Sequence, residues 1–374
     1  MKKVFSKILK LLLSFVGFKG YSSTLMLKAL KKDIINKDIP FRSKIWAWRR
    51  GFLGTRVFTY GINESNYKNH MPDFDYFKLH PINGKYSKWI DDKLTMKYIL
   101  APFNEFLPKY YFQIDDGMIL KLMDLPEGIN ANIEGIIQLL MTEGNLAVKR
   151  LGGSLGEGFY RLTYNNGDFY INTNKACIQQ VVELLSNLRG YLVTEYIIAH
   201  KDIRKVYDVT PNTLRVLVIK DRGKKAQITG GFMRFGTKES GLLEITDAGT
   251  IFTAVDYEIG CTFNANRMLN NHLENLKTHP DTYEQLEIKL PYWEEIKKIV
   301  YEITAYVPQL SYLGFDIIIT DDGFKIIEIN SLSALTFLAY YNPFFENEYS
   351  KEFFKRKFEE KPRKFKRVLK MMES

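Results

Sequence analysis

The stretch of residues 314–330 reads GFDIIITDDGFKIIEIN, and it predicts a β-hairpin. Two runs rich in β-branched residues flank an Asp-Asp-Gly triplet, which favours a tight turn. A three-residue loop at 321–323, with Gly323 in the left-handed conformation, would pair Asp316 with Glu328. Asn330 then points to the same face, because side chains alternate along a strand. The sequence therefore predicts three polar side chains on one face of an otherwise apolar hairpin.

These polar side chains predict a metal site. Two carboxylates that face each other without a basic partner repel, and a divalent cation would remove that cost. Carboxylate and amide oxygens are ligands that suit Mg²⁺. The alternative is a surface hairpin with solvated acids, because Asp-Gly turns are common. The apolar residues around the acids argue against that alternative, so we expect Asp316, Glu328 and Asn330 to bind Mg²⁺.

Length and composition indicate a globular protein with more than one lobe. The chain has 374 residues, which is long for one domain and sufficient for two or three closely packed lobes. Its 45% hydrophobic and 26% charged residues are ordinary for a globular fold. Cys177 and Cys261 are the only cysteines, so the sequence contains no disulfide framework and no zinc-binding spacing. We expect a reducing, cytoplasmic location.

Charge is distributed unevenly along the chain. Residues 1–50 carry a net charge of +11 and residues 351–374 carry +6, so the segment between them carries −7 within a total of +10. A nucleic-acid enzyme more often spreads its basic residues along a substrate channel. Because the basic residues here flank an acidic body, we expect no nucleic-acid partner.

Both ends of the chain combine basic and apolar residues. The apolar run within residues 1–18 is about ten residues long, whereas a membrane span needs about 20, and no signal-peptide cleavage pattern follows. Residues 351–370 interleave phenylalanines with Lys and Arg, which is typical of a basic amphipathic helix. We predict peripheral contact of both ends with the cytoplasmic membrane face. The alternative for each end is a solvated helix or a helix packed between lobes.

Strands and helices alternate through the middle of the chain. Apolar and β-branched runs predict strands at 146–149, 159–162, 169–171, 191–197 and 213–219. Helical spacing of apolar residues predicts helices near 178–188 and 293–306. The strands follow one another as hairpins rather than as parallel strand–helix–strand units, so the predicted class is α+β.

A lysine and a glycine-rich stretch predict a phosphate site. Lys149 ends a short apolar strand, and four glycines follow within residues 152–158. Such a loop can adopt positive φ angles and turn its amides toward phosphate oxygens, beside the lysine ammonium. The lysine precedes the glycines and a strand follows them, so neither a P-loop nor a Rossmann turn fits. The alternative is a flexible hairpin loop.

The order of these parts resembles the ATP-grasp superfamily, and within it the sugar-transfer-associated, teichuronopeptide-biosynthesis-like proteins of bacterial polysaccharide clusters. The resemblance is carried by the lysine and glycine loop between strands, a hinge strand with Glu195, an arginine-bearing strand and the Asp…Glu-x-Asn hairpin. It covers roughly residues 85–340. It implies an α+β ATP-grasp fold, with two α/β lobes that hold ATP between them and a family-specific N-terminal region.

The resemblance also implies four regions along the chain. They are a basic N-terminal region (1–85), a first lobe with the glycine-rich loop (86–192), a second lobe with the metal site (193–345) and a basic C-terminal tail (346–374).

Roles for single residues follow from the same resemblance. The residues implied to bind ATP are Lys93, Lys149, Ser154, Gly156, Gly158, Glu195, Tyr196 and His200. Mg²⁺ would be bound by Asp316, Glu328 and Asn330, and the transferred phosphate or acyl intermediate would face Arg215 and Arg234. Structural roles stay open for Arg215 as an ion-pair partner, His200 as a satisfied polar residue and Asn330 as a strand cap. One departure concerns the substrate end, because residues 331–334 lack the Pro or Gly that the family pattern has there.

These expectations predict an ATP-dependent carboxylate–amine ligase that works through an acyl phosphate, with ATP and Mg²⁺ as cofactors. The expected substrates are a sugar acid or an amino acid, free or lipid-linked, and an amine, in bacterial surface polysaccharide biosynthesis. Two alternatives stay open. One is an ATP-grasp kinase that phosphorylates a sugar or lipid-linked hydroxyl, and the other is a non-catalytic nucleotide-binding scaffold.

Overall fold

The computed structural model describes residues 17–18, 20–152, 158–244, 248–269, 272–333 and 335–373. The helices are α1 (Gly20–Ile35), α2 (Phe41–Arg50), α3 (Thr55–Thr59), α4 (Asp73–Leu79), α5 (Lys88–Asp91), α6 (Lys93–Ile99), α7 (Ile133–Glu143), α8 (Ile178–Ser186), α9 (Lys201–Val206), α10 (Trp293–Tyr306), α11 (Leu335–Tyr341), α12 (Glu348–Glu359) and α13 (Pro362–Glu373). The strands are β1 (Tyr110–Asp115), β2 (Met118–Lys121), β3 (Asn145–Arg150), β4 (Tyr160–Asn165), β5 (Asp168–Ile171), β6 (Asn174–Ala176), β7 (Tyr191–Glu195), β8 (Leu214–Ile219), β9 (Gln227–Phe235), β10 (Ile251–Asp256), β11 (Cys261–Leu269), β12 (His272–Leu276), β13 (Tyr312–Thr320) and β14 (Gly323–Asn330).

The strands form two seven-stranded sheets. The first has the order β2-β1-β7-β3-β4-β5-β6 and the second has the order β12-β11-β10-β9-β8-β13-β14. Throughout the described residues, neighbouring strands in both sheets pair antiparallel. The prediction of an α+β class built from hairpins is confirmed. Strand β7 spans the predicted lobe limit at 192/193, and by its pairing it belongs to the first sheet.

The first sheet packs against α7 and α8. Asn132 caps α7 by accepting a hydrogen bond from the Gly135 amide, and the apolar residues of both helices enter one core. That core joins Leu139 and Leu185 from the helices to Val148 and Val193 from the sheet. The regularly spaced apolar residues that predicted a helix near 178–188 thus face the sheet.

The second sheet is covered on both faces. Along β8, Val216 and Val218 face the core that contains α10, whereas Leu217 and Ile219 face the other core. This alternation is the two-residue period of a strand buried on both sides. Residues from α2, α11, α12 and α13 supply the second core, so the N-terminal region and the C-terminal tail pack together on one face of this sheet.

The β13–β14 hairpin pairs Asp316 with Glu328, as the sequence predicts. The turn differs from the prediction, because Thr320 pairs with Gly323 and only two residues form the loop. A bulge between Asp316 and Ile317 compensates for the shorter turn, because it places one extra residue on β14. The pairing of Asp316 with Glu328 is therefore the one that the sequence predicts. The predicted pairing of the polar residues is therefore confirmed, although the predicted three-residue turn is wrong.

The C-terminal tail forms two helices whose apolar residues are inside the protein. Phe353, Phe354, Phe358 and Phe365 are all buried in the second core. The prediction that these side chains enter a membrane interface is therefore wrong, because α12 and α13 use them to pack on the second sheet. Residues 1–16, which carry most of the other predicted membrane segment, lie outside the described residues. Among the helices that the structure describes, none is long and apolar enough to cross a membrane.

Candidate active site between the two sheets

Asp316 lies at the centre of an ion network that occupies both of its carboxylate oxygens. It sits on β13, between Glu328 on β14 and Arg215 on β8. Arg215 donates from Nε to Asp316 Oδ1 and from Nη2 to Oδ2, the latter at 2.7 Å. Arg234 on β9 donates to Oδ1 at 3.1 Å, and Asn330 Nδ2 donates to Oδ2 at 3.3 Å. Both oxygens of this buried carboxylate are therefore in use.

The charges in this network stabilise one another. Burial would raise the pKa of Asp316, but the guanidinium groups of Arg215 and Arg234 outweigh burial and lower it. Burial would likewise lower the pKa of Arg215, and the charge of Asp316 reverses that direction. The prediction that Asp316 and Glu328 lack a basic partner is wrong. The cations come from β8, β9 and α6, so they could not be seen in the sequence of the hairpin.

Lys93 and Lys149 meet at Glu328. Lys93 begins α6 and places its Nζ 3.1 Å from Glu328 Oε1. Lys149 lies on β3 of the first sheet, and it is within electrostatic reach of Lys93, Lys97 and Glu328. Burial, reinforced by the two other lysines and opposed by Glu328, lowers the pKa of Lys149 to about 7. The structure thus brings both predicted phosphate lysines to the same place as a predicted metal ligand.

The ring of Tyr110 packs against two ammonium groups, those of Lys97 and Lys149. The Nζ atoms of Lys97 and Lys149 are 5.2 Å and 5.3 Å from the centre of its ring. The side chain is fully buried, and its hydroxyl has no hydrogen-bond partner among the described residues. Burial raises the pKa of Tyr110, and the charge of Glu328 adds to that effect. A buried hydroxyl without a partner is unusual, and the ring that carries this one contacts two lysines.

The predicted hinge residues lie at the edge of this site. Glu195 ends β7, and its Oε2 accepts from the Lys109 amide at 3.0 Å while its own amide donates to the Lys109 carbonyl. The ring of Tyr196 lies 4.5 Å from the Arg161 guanidinium carbon of the first sheet. Tyr196 is also within electrostatic reach of Glu244, which pairs with Arg234 in the second lobe. Tyr196 therefore contacts the first sheet and lies near the second lobe, whereas both hydrogen bonds of Glu195 stay within the first lobe.

His200 lies elsewhere. Its Nδ1 accepts from the Asp202 amide at 3.1 Å at the start of α9, and its own amide donates to the Ile319 carbonyl at 2.7 Å. Ile319 is three residues from Asp316 along β13, which corresponds to about 10 Å. His200 is a helix cap near the hairpin turn, and the structure does not bring it together with the lysines.

The glycine-rich loop is described only at its borders. Ser154 and Gly156 lie outside the described residues. Gly158 has a φ of +73°, and a Cβ atom built there would lie 2.4 Å from the Tyr191 hydroxyl oxygen. Both the backbone conformation and the close approach of Tyr191 require glycine at this position.

Sequence reasoning missed several residues of the site. Tyr110 and Lys97 flank Lys149, and Asp91 accepts from the Ser331 amide at 2.9 Å and from its hydroxyl at 2.7 Å. Glu244 forms an ion pair with Arg234, with its Oε2 atom 3.3 Å from Arg234 Nε. A signal existed only for Asp91, because it lies two residues before Lys93, which the resemblance implies to bind ATP. The others are common residue types whose role depends on contacts across lobes.

The side chains of the site fit the phosphates of ATP and Mg²⁺, the two implied cofactors, to different degrees. For phosphate groups, Lys93 and Lys149 supply cations and the unpartnered Tyr110 hydroxyl supplies a donor. For Mg²⁺, Glu328 and Asn330 fit, because Mg²⁺ is usually held by one or two carboxylates and completed by substrate phosphates and water. Asp316 fits less well, since its oxygens are taken by arginines. Among the described residues, no cluster of three or more His, Cys, Asp or Glu side chains could hold a metal ion.

Comparison with protein families gives the same placement for most of the chain. The family model described as sugar-transfer associated ATP-grasp matches residues 76–347. The chain belongs to the sugar-transfer-associated ATP-grasp family. The predicted family and the α+β ATP-grasp fold with two antiparallel sheets are therefore confirmed. ATP-grasp proteins bind ATP, and most of them are ATP-dependent ligases.

Solved structures also match this ATP-grasp chain. D-alanyl-alanine synthetase A from Vibrio cholerae is 12% identical, covers 73% of this chain and 65% of its own, and has a TM-score of 0.42. D-alanine–D-alanine ligase from Bacillus anthracis is 16% identical, covers 74% and 71%, and has a TM-score of 0.37. An ATP complex of carboxyaminoimidazole ribonucleotide synthase from Aspergillus clavatus is 11% identical, covers 67% and 46%, and has a TM-score of 0.37. The chain thus spans less than two thirds of the first and third of these structures. No curated protein matches it.

Proposed function

We propose that this ATP-grasp protein is an ATP-dependent ligase that joins a carboxylate to an amine through an acyl phosphate. The observation that carries the proposal is the meeting of Lys149 from the first sheet with Lys93 and Glu328 at the second sheet. Glu328 pairs with Lys93 and Asp124 pairs with Lys97, so the partly buried Lys149 ammonium is the one of these three lysines without an ion-pair partner among the described residues. Such a cation suits the phosphates of a nucleotide. Family membership supports ATP as that nucleotide.

Each cluster has a distinct task in this proposal. Lys93 and Lys149 bind phosphate oxygens, and the Tyr110 hydroxyl donates to one of them. Arg215 and Arg234 are held rigid by Asp316, so their positive charge is already oriented when negative charge develops on the transferred group. Glu328 and Asn330 would hold Mg²⁺, which neutralises phosphate charge when it is bound.

The proposed chemistry has two steps. A carboxylate oxygen of the first substrate attacks the γ-phosphorus, the bond to the β-phosphate oxygen breaks, and ADP leaves. The nitrogen of the amine then attacks the acyl carbon, the bond from that carbon to the phosphate oxygen breaks, and an amide, phosphate and a proton are released. Positioning and electrostatic stabilisation supply most of the acceleration in such transfers.

The N-terminal region and α5 support the loop after β14 (residues 331–333) and the start of α11, where we propose that the substrates bind. Asp91 of α5 holds Ser331 by two hydrogen bonds. Arg56 Nη1 donates to Thr336 Oγ1 at 3.1 Å, and the Tyr60 hydroxyl donates to the Leu335 carbonyl at 3.2 Å. A sugar acid or amino acid, free or lipid-linked, would bind beside this loop. The sugar-transfer description of the family favours a role in surface polysaccharide biosynthesis.

The test is an ADP-release screen with paired substrates and mass spectrometry of the products. A ligase sustains ADP release over many turnovers only when a carboxylate and an amine are both present, because the amine must consume the acyl phosphate, and it forms an amide. ADP release with a hydroxyl compound alone, together with a phosphorylated product, would identify a kinase instead. Nucleotide binding without turnover across the screen would favour a scaffold.

A matched variant sharpens the same screen. Glu328→Gln keeps the shape of the side chain and removes its charge, so Mg²⁺-dependent turnover should be lost while the protein stays folded. Glu274→Gln, which removes the exposed partner of Arg267 on β12, should turn over ATP as the wild type does. Equal turnover by both variants would remove Glu328 from the proposed metal site.

A further inference from the structure

The corner between α1 and α2 exposes large apolar side chains. Ile34, Ile35 and Phe41 are 55%, 65% and 70% exposed. Ile39, in the same corner, is only 4% exposed and packs inward. The corner therefore buries one apolar residue and presents three others to the outside. The three exposed side chains lie within eight residues of the chain, and clustered exposed apolar side chains mark interaction surfaces.

Basic side chains surround these apolar residues. The exposed basic residues of the corner are Lys31, Lys32, Lys37 and Arg42. Asp38 is the one exposed acid within residues 31–42, because the other acid, Asp33, is buried. The corner thus combines protruding apolar side chains with a net positive charge, which is the composition of a membrane-interface contact.

The corner is held in a fixed shape by buried polar residues. The Asp33 carboxylate accepts from Trp48 Nε1 at 2.8 Å and from the backbone amides of Gly54 and Thr55 at 2.8 and 2.9 Å. Lys44 donates from Nζ to the carbonyls of Ile34 and Asn36. These bonds satisfy the end of α1 and fix its angle to α2. Binding would therefore need little ordering of the corner.

We propose that this α1–α2 corner, residues 31–42, inserts into the interface of a membrane that contains anionic lipid. A lipid surface fits better than a protein groove, because the apolar side chains protrude and a rim of Lys and Arg surrounds them. The tail cannot provide the same contact, since α12 and α13 bury their phenylalanines in the second core. Basic residues of the tail supply only electrostatic attraction to the membrane, whereas the corner supplies that attraction and inserts apolar side chains as well.

The experiment is co-sedimentation of the full chain with vesicles, either of phosphatidylcholine alone or of phosphatidylcholine mixed with phosphatidylglycerol. The wild type should bind the mixed vesicles and not the neutral ones. Ile34→Asp and Phe41→Asp should each lower the partition coefficient about tenfold or more, because each removes an inserted apolar side chain and adds a repelled charge. Ile34→Leu should bind as the wild type does.

Ile259→Asp is the matched control. Ile259 is also 55% exposed, and it lies in the turn between β10 and β11 of the second sheet. This variant makes the same chemical change at the same exposure, so its partition coefficient should stay at the wild-type value. Equal thermal unfolding of Ile34→Asp, Ile259→Asp and the wild type shows that the comparison concerns the surface alone.

Three results would overturn the proposal. One is failure of the wild type to bind the mixed vesicles at low salt. Another is unchanged binding by both corner variants while Lys364→Gln/Lys366→Gln on α13 loses binding, since the tail would then be the membrane surface. The third is a lipid-free dimer of the wild type that Ile34→Asp dissociates in sedimentation, because a second copy would then cover the corner. None of these readouts depends on the proposed ligase activity.

Discussion

The two halves of the site differ in how completely the protein pairs its own charges. In the carboxylate half, Arg215, Arg234 and Asn330 occupy both oxygens of Asp316. The lysine half consists of Lys93, Lys97, Lys149 and Tyr110. Glu328 pairs with Lys93 and Asp124 pairs with Lys97, whereas the Lys149 ammonium has no ion-pair partner and the buried Tyr110 hydroxyl has no hydrogen-bond partner among the described residues. Buried polar groups left in that state cost free energy unless a ligand completes them. We infer that the carboxylate half holds the scaffold and that the lysine half is completed by an anion.

The largest expected effect lies in the carboxylate half. Asp316→Asn keeps the side-chain shape, removes the anion that pairs with the buried Arg215 and leaves Arg234 with Glu244 as its ion-pair partner. Breaking a buried ion pair in this way costs about 3–5 kcal/mol, so the free energy of unfolding should fall by about that amount. Chemical denaturation measures it.

The control for that prediction is Asp322→Asn in the exposed turn of the same hairpin. It should change the free energy of unfolding by less than about 0.5 kcal/mol, as is usual at surface positions. A loss for Asp316→Asn as small as that of the control would mean that the network does not hold the scaffold.

In the lysine half, we expect a substitution to lower ATP affinity and not the free energy of unfolding. Lys149→Met keeps the stem packing and removes the ammonium, so ATP affinity measured by calorimetry should fall by about 1.5–3 kcal/mol. The free energy of unfolding should stay equal or rise, because burial and the neighbouring lysines already disfavour the charged side chain. Unchanged ATP affinity would show that the lysine half does not bind the nucleotide.

Removing the hydroxyl group from either of two buried tyrosines should give smaller effects, and they should differ in kind. Tyr312→Phe removes a hydroxyl that shares a 2.8 Å hydrogen bond with Tyr76, so the free energy of unfolding should fall by about 1 kcal/mol. Tyr110→Phe removes a hydroxyl without a partner, so stability should stay equal or rise while ATP affinity falls by about 0.5–1.5 kcal/mol. Equal losses of stability in the two variants would contradict the contrast between the halves.

The sequence predicted the parts of the fold that depend on local chemistry. Strand alternation placed Asp316 opposite Glu328, and it did so although the turn has two residues, because the bulge on β14 adds the missing one. That compensation has no local signature, so it could not be predicted. The tail shows another limit, since an amphipathic pattern with Phe353 and Phe358 on one face is the same whether that face meets a membrane or a core.

For the candidate site, the sequence likewise predicted residues but not their contacts. Lys93, Lys149, Arg215 and Glu328 were found from motif order, and the structure brings them together. What the sequence could not provide is their pairing. Arg215 is 101 residues from Asp316, and Lys93 is 235 residues from Glu328, so only the packing of the lobes decides which charges meet.

Proton uptake on ATP binding tests most directly whether an anion completes the lysine half. Near pH 7 about half of the Lys149 side chains are uncharged, given a pKa of about 7. A bound phosphate favours the charged form and raises that pKa, so the contribution of Lys149 to affinity is complete below pH 7 and is lost as the pH rises through the bound-state pKa. Calorimetry in two buffers of different ionisation enthalpy should therefore show that the wild type takes up about half a proton more than Lys149→Met, which corrects for protons exchanged by ATP itself. Equal uptake by the two proteins would contradict the account.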